Sequence, residues 1–229
     1  MNRKSATRKG FVAAAALSAV IGLSACGANV DTASAADSSS STISVPKPAA
    51  VVRAIPGGDT AVTLDAGFVS ALGTLGLTPG VTGTATLDGT TGVVDFPITG
   101  GTVTLYDRET GYRPWVQGIV FHDGSGLTLA AGGTTVELSN FAIDPGKPAR
   151  LFGDVTVNGE LAAPNAPLFN LDGSTLSAPT MDADGSAVLD GTTVKLSDEA
   201  AALLNSTFKT DALAGGLVIG TSVITVQTS

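Results

Sequence analysis

From Val51 to the C-terminus the chain is cut by Gly, Pro and Asp at short intervals, and the residues between the cuts are chiefly Val, Ile, Leu, Thr and Phe. Such runs are too short for most helices, and β-branched residues bounded by turn formers favour antiparallel strands. The pattern predicts an all-β domain: an antiparallel sandwich, or a curled sheet or half-barrel, with one or two short covering α-helices. Strands are expected at 60–64, 83–87, 92–97, 101–106, 117–122, 127–131, 134–143, 150–157, 167–171, 175–177, 186–189, 192–196 and 222–227. Many alternate, as in Val103-Thr104-Leu105 and Val194-Lys195-Leu196, which buries one face and wets the other. Asp88-Gly89, Asn158-Gly159, Asp172-Gly173 and Asp184-Gly185 read as tight turns.

Two segments depart from this rhythm. Residues 65–75 place Phe68, Leu72 and Leu75 on one helical face, and residues 198–208 place Ala201, Leu204, Asn205 and Phe208 at comparable spacing. Asp65 and Ser197 fit as N-caps, and Asp198 with Glu199 suits the positive end of a helix dipole. These helices are expected to cover an open edge or end of the sheet. Asp88-Gly-Thr-Thr91, Gly132-Gly-Thr-Thr135 and Asp190-Gly-Thr-Thr193 echo one another, each leading into a Val-containing strand, but four-residue matches fit recurrent turn chemistry as well as duplication.

The N-terminus has a different character. Arg3, Lys4, Arg8 and Lys9 precede an uncharged run of 13 residues, Phe11 to Leu23, which is the form of an export signal. As a helix that run reaches about 20 Å, short of the roughly 30 Å hydrocarbon core. It ends in Leu23-Ser24-Ala25-Cys26-Gly27, which resembles the lipobox of bacterial lipoproteins. The resemblance implies cleavage before Cys26 and a diacylglyceryl thioether on its sulfur, with two or three acyl chains giving a stable membrane anchor. The other reading is an ordinary signal-peptidase site near residues 33–35, with Cys26 discarded. Residues 27–50, with Asp37-Ser38-Ser39-Ser40-Ser41-Thr42 and Pro46-Lys47-Pro48, then form a flexible tether. The expected organisation is a signal peptide at 1–25, a lipidated Cys26 and tether at 26–50, and a single β-rich domain at 51–229.

Charge and composition narrow the function. Loss of residues 1–25 takes four basic residues and no acid from totals of 12 and 20, so the formal charge goes from −8 to −12. Such a chain has no basic surface for nucleic acid and no polybasic patch for anionic lipid. One Cys and one His exclude a disulfide scaffold and a zinc cage. No P-loop, dinucleotide fingerprint or Gly-x-Ser-x-Gly elbow is present, and a Ser-His-Asp triad would depend on His122 alone. Asp182-Ala183-Asp184-Gly185 offers oxygen ligands but misses the EF-hand spacing, so a hairpin turn is expected there.

Two clusters carry the candidate binding residues. Residues 106–115 contain Tyr106, Arg108, Tyr112, Arg113 and Trp115, which includes both tyrosines and the sole tryptophan. Aromatic and Arg side chains on a loop serve as binding anchors, here for an apolar or planar ligand whose anionic group meets Arg108 or Arg113. The same residues would also serve a charged hairpin whose aromatics seal the core margin. His122, followed by Asp123-Gly124-Ser125-Gly126, fits a metal or haem ligand at a strand end, or a solvated turn histidine.

Phe96-Pro97-Ile98-Thr99-Gly100-Gly101, then Gln117-Gly118-Ile119-Val120-Phe121-His122-Asp123-Gly124-Ser125-Gly126-Leu127-Thr128-Leu129, then Val136 to Ile143, and a late Thr193-Val194-Lys195-Leu196-Ser197 with its helix stand in the order seen in HtaA-type haem-binding domains of actinobacterial cell envelopes. The body of the chain resembles that family over roughly residues 90–225. The resemblance implies haem as cofactor, with a tyrosine on the iron and a histidine assisting it. His122 occupies the matching histidine position, while the N-terminal part of the domain, where the family's tyrosine lies, offers Phe68 and no tyrosine. The leading expectation is a non-catalytic, membrane-anchored envelope module for binding or structure, without a cofactor, on the extracytoplasmic face. The alternatives are a haem-binding surface protein of the HtaA type and a carrier of lipid or glycolipid.

Overall fold

The computed structural model describes residues 44–229. The expected signal peptide, Cys26 and most of the tether lie outside them. The strands are β1 (Ala50–Val52), β2 (Gly58–Leu64), β3 (Thr78–Gly83), β4 (Thr86–Asp88), β5 (Val93–Pro97), β6 (Gly100–Leu105), β7 (Val116–Ala131), β8 (Thr134–Asp144), β9 (Arg150–Val157), β10 (Glu160–Asp172), β11 (Thr180–Met181), β12 (Ala187–Leu196) and β13 (Val218–Val226). Two helices, α1 (Ala66–Thr74) and α2 (Asp198–Phe208), follow β2 and β12.

The strands form one antiparallel sheet in the order β1-β6-β7-β8-β9-β10-β12-β13-β2-β5-β4, with β3 pairing β7 and β11 pairing β12 outside that path. The sheet curls into a half-barrel. Its two ends are tied by the chain between β5 and β6, where Ile98 N–H donates to the Gly58 carbonyl at 2.9 Å and Thr99 N–H to the Phe121 carbonyl at 2.8 Å. The inward faces make two apolar groups. One holds both helices and includes Leu72, Val94, Phe96, Phe141, Phe169 and Leu204; the other includes Val103, Leu105, Val120, Ile143, Leu189 and Ile224.

Both helices begin where their sequence requires. The Asp65 carboxylate accepts from Phe68 N–H at 3.0 Å, and Ser197 Oγ accepts from Ala200 N–H at 2.9 Å while donating to the Pro167 carbonyl. Leu72 of α1 and Ala200, Ala201 and Leu204 of α2 are buried against the first group, so the helices close one end of the half-barrel.

Between the two apolar groups the central strands change parity. On β7 the inward residues are Val120 and His122, then Ser125, Leu127 and Leu129; His122 pairs with Phe141 of β8 and the next pair is Gly126 with Ser139. On β8 they are Val136 and Leu138, then Phe141 and Ile143, and on β12 Ala187 and Leu189, then Thr192 and Val194. A bulge inserts residues on one strand and so moves the following side chains to the other face. Asn140, at φ 54°, and Gly191, at φ 101°, supply the backbone for two of these bulges.

The bulges are fastened on the outer face. Asn140 Oδ1 accepts from Gly124 N–H at 2.9 Å and its Nδ2 donates to Asp154 Oδ2 at 3.0 Å, while Asp154 Oδ1 accepts from Asn165 N–H at 2.9 Å. The two donors hold the Asp154 carboxyl below its usual pKa, the Asn140 amide having the larger effect.

Several local expectations change. Residues 123–126 are the bulge inside a single 16-residue β7, where the sequence suggested a turn between two strands. Residues 83–87 split between β3 and β4, and 175–177 give way to a 3-10 turn at Gly173–Thr175, because the Asp172 carboxylate caps Ser174 N–H. Asn158-Gly159 is the expected tight turn, with φ 52° and 84°.

Candidate functional site

His122 lies on β7 at the edge of the bulge and is 1% exposed, so the solvated-turn reading does not hold. Its Nε2 is 2.8 Å from Thr60 Oγ1 of β2. Five strands separate β7 from β2 along the sheet, so this bond crosses the interior of the half-barrel. Nδ1 is buried and has no hydrogen-bond partner among the described residues. Burial pushes the His122 pKa from 6.5 down to about 4, against smaller upward effects of the Phe141 backbone and Asp123. The imidazole is therefore neutral at pH 7, which is the form that coordinates metal.

That pKa has a consequence for stability. Below about pH 6.5 the unfolded chain takes up a proton that the folded chain refuses until about pH 4. The stabilisation is fully present above 6.5 and is lost as the pH falls towards 4, by about 3 kcal/mol in total. Denaturant titrations at pH 7 and pH 4.5 should show this loss, and His122→Gln should flatten the change between the two. An equal pH response in that variant would assign the effect to other groups.

His122 lines a cavity of about 530 Å³ that occupies the half-barrel between the two apolar groups, within the usual range of ligand pockets. Val94, Phe96, Phe141, Phe169, Leu189 and Ile224 form much of its wall. Its polar side chains are Thr60, His122, Thr192 and Ser222 inside, with Arg113 and Lys147 further out. Arg113, Lys147 and Gly173 are its exposed lining residues, and they mark a mouth formed by three loops.

The aromatic loop divides into two parts. Arg113, Pro114 and Trp115 line the cavity, whereas Tyr106, Arg108 and Tyr112 do not. Tyr106 and Tyr112 pack on each other with ring centroids 4.6 Å apart. Arg108 stacks over Trp115 at 4.2 Å and donates from Nη2 to the Leu176 carbonyl at 3.0 Å, so it braces one rim loop against another. Arg113 Nη1 donates to the Tyr112 carbonyl at 2.9 Å and to the Arg108 carbonyl at 3.4 Å, which fixes the guanidinium at the mouth. Of the two arginines considered for an anion, Arg113 is the one the fold places there.

Thr60, Lys147 and the phenylalanines of the wall escaped sequence reasoning. They come from strands and loops far apart in the chain, and only the curl of the sheet assembles them. Among the described residues no group of three or more His, Cys, Asp or Glu is arranged to hold a metal ion, and no helix is long and apolar enough to cross a membrane.

No family model and no curated protein matches the chain. Among solved structures it is similar to the C-terminal domain of HtaA from Corynebacterium glutamicum, with a TM-score of 0.51 and 15% identity over 76% of this chain and 99% of that one. The haem-binding protein HtaB from Corynebacterium glutamicum scores 0.44 at 11% identity, over 79% of this chain and 96% of that one, too low to carry weight. The likeness to the HtaA domain is one of fold.

Proposed function

We propose that this chain is a non-catalytic binding module of the cell envelope whose half-barrel holds a haem-type ligand. The carrying observation is a neutral, buried imidazole on the wall of a large apolar cavity with two cations at its mouth. The residues present fit such a group. The cavity falls in the size range of cofactor sites, its lining among the described residues includes no Tyr, Cys or Met, and His122 is its one imidazole, so His122 would hold the iron. Arg113 and Lys147 would meet the carboxylates of the macrocycle. The sequence resemblance at residues 117–129 and the shared fold support the same ligand.

The leader of the sequence supports delivery to the outer face of a membrane, with Cys26 as the lipidated residue. Haemin titrated into the purified mature domain should give a shifted Soret band that saturates at one equivalent; an unshifted band would refute the reading. For the anchor, Cys26→Ala should release the protein from the membrane fraction or block its processing, and unchanged membrane retention would refute lipidation.

A further inference from the structure

The apolar interior does not end at the main cavity. A second void of about 40 Å³ lies beneath the helices, walled by Phe68 and Leu72 of α1, Leu204 of α2 and Leu213. Leu64, Val94, Leu127, Phe169 and Ile219 line both spaces, so the two adjoin across these five side chains. Among the described residues, Thr128 supplies the only polar side chain of the second void, and no charged residue lines it.

A rigid planar ring has no use for a narrow pocket beyond the main cavity, but a flexible hydrocarbon chain does. The charge at the other end is equally specific. The chain after residue 25 has eight basic residues against 20 acidic ones, yet Arg113 and Lys147 are both placed at the mouth, from different loops. Neither has a carboxylate within ion-pair distance among the described residues. An apolar cavity, cationic at its mouth and adjoining a second apolar void on its far side, matches a single-chain anionic lipid.

We infer that the half-barrel also binds a long-chain fatty acid, its carboxylate at Arg113 and Lys147 and its tail running along the cavity towards the void under α1 and α2. This reading stands on the second void and the mouth charges, and needs neither iron nor His122 as a ligand.

The test is displacement of the fluorescent probe cis-parinaric acid from the mature domain by saturated fatty acids of rising length. Affinity should climb about tenfold for every two methylenes and then level off once the tail has filled the apolar space. Leu204→Phe fills the second void without touching the main cavity and should bring that plateau down by two or more carbons, leaving the shorter acids unaffected. Leu213→Phe makes the same test if the first variant melts below the assay temperature. Arg113→Ala combined with Lys147→Ala should weaken the acids at least tenfold and leave the matching alcohols unchanged. Absent binding, affinity independent of length, or an equal loss for acids and alcohols would overturn the inference. Fatty-acid binding is read without haemin, so either result leaves the haem reading to its own titration.

Discussion

His122→Ala is expected to remove the shifted Soret band of the haemin complex and to raise its Kd by about 100-fold or more, since metal sites lose 10–100-fold even when an outer-shell partner is lost. Haemin that enters the cavity by apolar contact alone would keep the spectrum of the unligated molecule, so position of the band separates coordination from burial. Thr60→Val supplies the complementary result. It removes the hydroxyl that occupies Nε2 at 2.8 Å, and with that bond gone haemin should bind several-fold more tightly. Wild-type affinity and spectrum in His122→Ala would exclude this imidazole as the ligand, whatever the cavity holds. Because His122 is buried, its alanine variant also leaves a void, and a thermal melt of the same sample guards against reading unfolding as lost binding.

A large effect on the fold itself is expected from Gly126→Ala. Gly126 follows the bulge on β7 and faces Ser139 across the sheet; a Cβ there would stand 2.2 Å from the Leu138 carbonyl oxygen and 2.8 Å from Ser139 Cα. Both are backbone atoms of the neighbouring strand, so no side-chain rotation relieves the clash. Overpacking with displaced backbone costs about 3 kcal/mol or more, which at this size lowers the melting temperature by roughly 10 °C. Gly89→Ala is the control, since nothing lies within 4 Å of its built Cβ and its φ is not positive. Equal melting temperatures for the two variants would show that β7 and β8 part easily at the bulge, against the reading of a fixed site.

The sequence carried the local signals well and the global ones poorly. Helix boundaries were legible because caps are chemistry of a few neighbouring residues: Asp65 and Ser197 each satisfy an amide three positions on. The Asn158-Gly159 turn was legible because few residue pairs tolerate two successive positive φ values. Asp123-Gly124-Ser125-Gly126 misled for a related reason. Its residues suit a turn and a bulge alike, and what decides is a partner 16 residues away, Asn140, whose side chain accepts from Gly124 N–H. β10 was found only in its second half, since Pro164 and Asn165 interrupt a strand that pairs with β9 through several register breaks.

The candidate site was half visible. Arg113, Trp115 and His122 stood out because those residue types are scarce in this chain, and all three line the cavity. Tyr106 and Tyr112 stood out equally and pack on each other instead. Thr60 gave no signal, since one Thr in a Thr-rich strand pattern looks like any other; its role depends on how far the sheet curls.

The hydrogen-bond line from Gly124 through Asn140 and Asp154 to Asn165 runs along the outside of the wall. It sets the bend of four strands without contributing a side chain to the inner surface. Shape and contents are thus written in separate residues. Substitutions at Thr60, His122, Thr192 or Ser222 can change what the vessel accepts while its curvature is dictated elsewhere, so one backbone can be passed between ligands of different chemistry by exchanging its lining alone.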